Sequence, residues 1–359
     1  RRLAGQPVRS VTPARASASI DAPPGCGAYI LNAGQTAFFR VLYDPRNFDQ
    51  LANGFAGLGA DDQLGILLDY WAFGRSGDAP FSDYLRLVGG LPANADPVIA
   101  RDTAGSMTAL LDYARGRPSE SAVRAYGRAV LKPFMQRVGW TPQANEPAND
   151  TLLRATLISA LGQLGDADVA AEARRRMLAS RRDPNATPGA IRDAVLDVYA
   201  YNANAADLAA LVAQARAATD FVEQRRLWGS IGRVNDEALA QQVLAMTLGE
   251  TIPRPLRRSV MSQIAGNHPR MAWDFLIAHR PAIESWLEPA IRLSFPAEIA
   301  ANSADPGMVG ELDRYAANFP AGARQTLDAS KASIRLRADT VSRRLPSAEA
   351  WIAQHPNGR

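Results

Sequence analysis

The chain has 359 residues, 47% of them hydrophobic and 21% charged, a balance that supports a sizeable core and excludes disorder throughout. Its formal charge of +4 sits mostly at one end, because Arg1, Arg2, Arg9, Arg15 and Arg40 face only Asp21 and Asp44 within residues 1–44. The nearly neutral remainder lacks the basic face that phosphate tracking requires, which excludes nucleic acid as a partner, and no apolar run approaches the roughly 18 to 20 residues that span a bilayer.

Residues 1–27 are rich in Pro, Ala, Arg and Ser and read as a linker or as edge strands of a preceding sheet. They contain the single cysteine, Cys26, so an intrachain disulfide and a cysteine zinc site are both excluded. The chain starts at Arg, and sequence upstream of it is expected. Over 28–45 the pattern alternates: Phe38, Arg40, Leu42 and Asp44 share one face, Phe39, Val41 and Tyr43 the other. With Asn32-Ala33-Gly34-Gln35 as the turn, this predicts a β-hairpin. A lone strand pair cannot bury its own apolar side, so a sheet on absent sequence is expected to complete it.

From residue 46 onward the sequence reads as helix after helix. Residues 63–77 put Leu64, Leu67, Leu68, Trp71 and Ala72 on one stripe before Gly74 and Gly77. Turns near Gly165, Ala203, Arg233–Asn235 and Asn267 recur roughly every 32 to 38 residues, the range of helical-hairpin repeats. Each such unit has apolar residues on two sides, Leu227, Trp228 and Ile231 answered by Leu239, Val243 and Leu244, so neighbours must stack. A last long helix over 323–345 carries the stripe Leu327, Ile334, Val341 and Leu345 among basic residues. The fold class expected is all-α, a superhelical array of HEAT/armadillo-like hairpins over 46–359.

The run LNAGQTAFFRVLYDPRNF (31–48) resembles the junction between the small β-sandwich and the C-terminal helical domain in zinc aminopeptidases of the aminopeptidase N type. The shared order is Asn32, Gly34, Phe38-Phe39, Arg40-Val41, Tyr43-Asp44 and Asn47-Phe48, with Ala37 where the family usually has Gly. Further landmarks follow in the family's order: VLKPFMQRVGW (130–140), LLRATLISALGQLGDADVAAEA (152–173), EQRRLWGSIGRVNDEAL (223–239) and IAGNHPRMAWDFLIAHRPAI (264–283). The resemblance covers about residue 28 to the end and is poorest over 92–118.

The family's catalytic motif is H-E-x-x-H, two histidines one helical turn apart on zinc and a glutamate that activates water. Here the histidines are His268, His279 and His355, none four residues from another. The family's Gly-Ala-Met-Glu-Asn segment, which holds the substrate's amino terminus, is absent as well. The resemblance therefore implies a non-catalytic piece, with zinc on an upstream catalytic domain. Its partners would be the β-sandwich and catalytic domains of the same protein, and peptides.

In that family the domain forms a bowl over the active-site cleft. Arg226, Asn267, Arg270 and Arg335 lie on segments that match inner landmarks and are the candidate peptide-cavity residues, their guanidinium groups suited to a peptide carboxylate. The rival reading is a stand-alone helical-repeat scaffold that binds another protein. A scaffold would open with a polar capping helix rather than an aromatic-rich strand pair. The sequence assigns no compartment.

Overall fold

A computed structural model describes residues 27–358 except 181, 184 and 185, so the expectations for residues 1–26, Cys26 included, lie outside the described residues. All regular structure among the described residues is helical, and no strand occurs among them.

Residues 28–44 thus correct the expected β-hairpin. The turn forms, with the Gln35 N–H donating to Asn32 O at 2.8 Å and Asn32, Gly34 and Gln35 at φ of 52°, 74° and 55°. The arms form no ladder, because side chains engage their backbone groups instead. Asn32 closes the tip, its amide donating to Ala37 O and its Oδ1 accepting from Ala37 N–H, both at 2.8 Å. Asp62, Asp69 and Tyr70 accept the N–H groups of Gly34, Val41 and Tyr43. Asn47 both accepts from Tyr29 N–H and donates to its carbonyl. The alternation still sorts part of the segment: Val41 and Tyr43 are buried, while Phe38, Phe39 and Leu42 face solvent.

Helix α1 (Pro45–Asn53) is started by Asp44, whose carboxylate accepts the Asn47 N–H, and by Pro45, whose fixed φ suits a first helical position. Helix α2 (Ala60–Ser76) stops at Gly77, which is left-handed at φ 90°. Its buried face is Ile66, Leu67 and Tyr70; Leu68, expected on the buried stripe, is exposed. The rotation follows from aromatic packing, since Tyr70 stacks on Phe48 at 4.7 Å and Trp71 tilts against Phe81 and Tyr84 of α3 (Phe81–Gly89).

The middle of the chain is built from consecutive pairs: α4 (Pro97–Ala114) with α5 (Glu120–Val138), α6 (Ala148–Gln163) with α7 (Ala167–Ser180), and α8 (Gly189–Tyr201) with α9 (Ala205–Ala217). Then come α10 (Phe221–Ile231) with α11 (Glu237–Met246), and α12 (Arg254–Asn267) with α13 (Pro269–Ala278). The expected turns at 165, 203, 233–235 and 267 fall at the joints of the last four pairs. Helices α4, α6, α8, α10 and α12 pack each on the next, forming one layer; α5, α7, α9 and α13 lie against their partners, and α11 lies against α12. The approach is closest where a Cβ on Gly162 would lie 2.4 Å from a Val198 methyl, so only glycine lets α6 meet α8 there.

Shorter helices follow: α14 (Arg280–Trp286), α15 (Ser294–Ala300), α16 (Met308–Ala316) and α17 (Ala321–Arg324). The single helix expected over 323–345 is instead α17, a 3-10 turn, α18 (Asp328–Asp339), a π-turn (Thr340–Arg344) and α19 (Leu345–Gln354). Leu327, Ile334 and Leu345 are buried as the stripe predicts, but Thr340 replaces Val341 inside. The π-turn adds a residue and rotates the face; the Thr340 hydroxyl is satisfied by donating to Leu336 O at 2.7 Å.

Buried apolar side chains form two cores. The first runs from Val41 to Val198 and takes in Leu345, Ala348 and Ile352; the second runs from Leu196 to Ile334 and includes the fully buried Trp228 and Trp273. Each large aromatic removed from water at roughly 25 cal/mol per Å² is a leading favourable contribution to its core. Helix α8 gives Ile191, Ala194, Val195 and Val198 to the first core and Leu196, Tyr199 and Ala200 to the second.

Candidate functional site

Four helices of that layer stop at the same end of the array, each for a local reason. Arg115 leaves the helical region after α4, Gly165 turns at φ 74° beyond α6, Asn202 caps α8, and Pro269 follows the His268 that ends α12. Their last turns and the loop after α10 enclose a cleft of about 180 Å³ lined by Asp112, Gln163, Asp197, Tyr201, Arg233 and Asn267.

The lining is polar and cross-linked. Arg115 donates to Asp112 Oδ1 at 3.0 Å and to the side-chain oxygens of Asn235 and Asn267, each at 3.4 Å. Asn267 in turn donates to Arg233 O at 2.8 Å. Asp197 lies 3.3 Å from Arg233 Nε and accepts from Ser230 Oγ at 2.6 Å. Burial pushes the Asp197 carboxyl above the ordinary carboxylate range, and Arg233 and Ser230 oppose that shift. His268, its Nε2 3.2 Å from Val234 O, is pushed below the ordinary histidine value by burial, with the Arg115 charge adding to the effect.

Arg233 is the side chain best placed to meet a ligand. Asp197 engages its Nε, while its terminal guanidinium nitrogens have no protein acceptor among the described residues. A guanidinium held on one edge and open on the other presents a fork that matches a carboxylate.

Of the four residues marked from sequence, the structure puts Asn267 in the cleft wall. Arg226 sits beside it on α10, paired with Glu223 at 2.6 Å and Asp193 at 3.5 Å, close enough to influence Asp197. Arg270 is elsewhere, on α13, bridging Asp274 at 2.8 Å and Glu311 at 2.7 Å. Arg335 is exposed on α18. Sequence reasoning missed Asp112, Arg115, Asp197 and Arg233. One signal was present: Asp193 and Asp197 stand one turn apart on α8, a helix otherwise apolar on two sides.

Residues 28–336 match the family described as the ERAP1-like C-terminal domain. The chain belongs to that family. This C-terminal domain is 26% identical over 255 residues to aminopeptidase M1-A of Oryza sativa subsp. japonica, covering 68% of the chain and 29% of that protein. It is 24% identical over 265 residues to aminopeptidase M1 of Arabidopsis thaliana, covering 70% of the chain and 30% of that protein. To aminopeptidase N of Lactococcus lactis subsp. lactis it is 24% identical over 234 residues, 64% of the chain and 27% of that protein. The chain spans less than a third of the length of these curated relatives.

The zinc ion that such relatives imply does not fit the described residues of this domain. No group of three or more His, Cys, Asp or Glu among them could hold a metal. Each histidine is engaged separately: His268 with Val234 O, His279 against the Phe275 ring at 4.5 Å, His355 stacked on Trp351 at 3.8 Å. No helix of the described residues is long and apolar enough to cross a membrane.

Proposed function

We propose that this domain is the non-catalytic cap of a zinc metallo-aminopeptidase, closing over the active site and forming the wall of the chamber that receives peptides. The observation that carries the reading is the polar cleft at the ends of α4, α6, α8 and α12, with Arg233 open to solvent on one edge. The paired helices act as a superhelical array of HEAT/armadillo-like hairpins whose inner layer faces the chamber. Arg233, Asn267 and Arg226 meet the far end of a peptide whose amino terminus is held at the metal on the catalytic domain. Arg335 is the candidate contact at the chamber rim, and Arg270 acts by tying α13 to α16.

The segment 28–44 supports the same reading from the opposite direction. Tyr29, Leu31, Phe38, Phe39 and Leu42 expose large apolar side chains within one short stretch. In this proposal the upstream β-sandwich covers them. A stand-alone scaffold would leave that surface in water.

Arg233→Ala and Asn267→Ala in the full-length protein test the reading. Both variants should raise KM for long peptides while leaving an aminoacyl-anilide reporter unchanged, because only the long substrate reaches the cap. Equal effects on both substrates would reject the chamber-wall role. The isolated chain should bind no stoichiometric zinc and cleave neither substrate.

A further inference from the structure

The cleft lies on the seam between the two cores. Asp112 and Gln163 stand on helices of the first core, Arg233 and Asn267 border the second, and α8, shared by both, supplies Asp197 and Tyr201 between them. Polar contacts cross the seam directly, from Arg115 to Asn235 and Asn267, and from Asn235 N–H to Tyr201 O at 3.1 Å. Besides α8, only the α18–α19 helix places buried side chains in both cores among the described residues, Ile334 in the second and Leu345, Ala348 and Ile352 in the first.

That second crossing is anchored at both ends. On the second-core side α18 packs on α15 and α16, and Lys331 pairs with Asp313 at 2.5 Å. On the first-core side Glu349 accepts from Arg117 at 2.8 and 3.1 Å and from Ser119 Oγ at 2.5 Å. Ser347 Oγ accepts the Phe81 N–H at 3.0 Å, at the start of α3. The Arg344 guanidinium lies over Gly77, where a Cβ would come within 2.3 Å of it. Between the anchors, Arg337 stacks over Tyr113 at 5.3 Å, one residue from Asp112 in the cleft.

We infer that the α18–α19 helix is a strap that sets how far the cleft opens. The two halves of the domain meet along α8, where packed helices accommodate small shear displacements. The strap ties α3 and α5 of the first core to α15 and α16 of the second and limits that shear. The π-turn at 340–344 is its one departure from regular helix, and it is the place where the strap gives. This inference does not depend on the aminopeptidase reading, since its readout is conformational.

Hydrogen exchange on the full-length protein tests it with two variants. Ser347→Ala combined with Glu349→Gln weakens the polar anchors on the first-core side and keeps Leu345, Ala348 and Ile352; Ser342→Gly combined with Arg343→Gly loosens the helix between its ends. Both should raise exchange about tenfold at the seam, in peptides covering 112–116 and 231–236, while 256–264 inside the second core stays as slow as in the parent. Unchanged exchange at the seam in both variants would overturn the inference. Uniform acceleration through both cores would overturn it too, because it would make the helix a general stabiliser.

Discussion

Each half of the domain buries an arginine on a helix of the α4–α6–α8–α10–α12 layer, and the two halves satisfy it differently. Arg154 of α6 is fully buried, donates to the carbonyls of Val138 and Gly139, and pairs with Glu146, itself almost buried. Arg257 of α12 reaches the carbonyls of Gly249 and Ile252 at 2.6 and 3.0 Å, but its carboxylate, Glu250, is 3.6 Å away and fully exposed. The repeated element is a guanidinium that gathers the carbonyls of the preceding loop. Only the first half adds a counter-charge inside, and the physical cost of disturbing the two should differ accordingly.

Arg154→Ala should be the most damaging change, about 3 to 5 kcal/mol, because it leaves the Glu146 carboxylate enclosed without its cation. A urea titration of the domain reads it as a lowered midpoint. Glu146→Gln should cost less, about 1.5 to 3 kcal/mol at neutral pH, as a charge-assisted bond becomes a neutral one. It should also remove a pH dependence. Hydrogen bonds from Arg154 hold the Glu146 carboxyl down at about 2, below its ordinary 4.5, so the unfolded chain binds this proton more readily than the folded one. The stabilisation is complete above about pH 4.5 and is lost as pH falls from there toward about 2. Midpoints measured across that window should fall more steeply for the parent than for the Gln variant; parallel curves would assign acid sensitivity to another group.

Arg257→Ala should cost about 1 to 2 kcal/mol, the loss of donors to two carbonyls with no enclosed charge left behind. A loss equal to that of Arg154→Ala would erase the distinction between the halves. Arg335→Ala, on an exposed face, should change stability by no more than about 0.5 kcal/mol and calibrates the series.

The helical body and its joints are legible in sequence because glycine, asparagine and proline mark them: Gly165, Ala203-Asn204 and Arg233–Asn235 fall between paired helices, and Asn267 ends α12 just before Pro269 starts α13. The 28–45 segment is half legible. Its alternation and turn residues are local, but whether its arms pair depends on Asp62, Asp69 and Tyr70, side chains on a helix that the alternation does not mention. The same limit applies to the cleft. Asn267 is marked by a joint and by family landmarks, whereas Arg270 looks equivalent in sequence and is claimed by Glu311, 41 positions away. Arg233 is distinguished from the other arginines only by which of its nitrogens Asp197 occupies. Such choices are made by tertiary neighbours, which periodicity does not encode.

The return of Leu345, Ala348 and Ile352 to the first core carries a consequence for synthesis. While the ribosome is still translating the second half, the earlier helices wait with an apolar face uncovered, and no local contact closes it. Premature termination before residue 345 would release a polypeptide whose first core is unfinished although the helices from α1 to α8 are all present, a species for chaperones or proteases to take up.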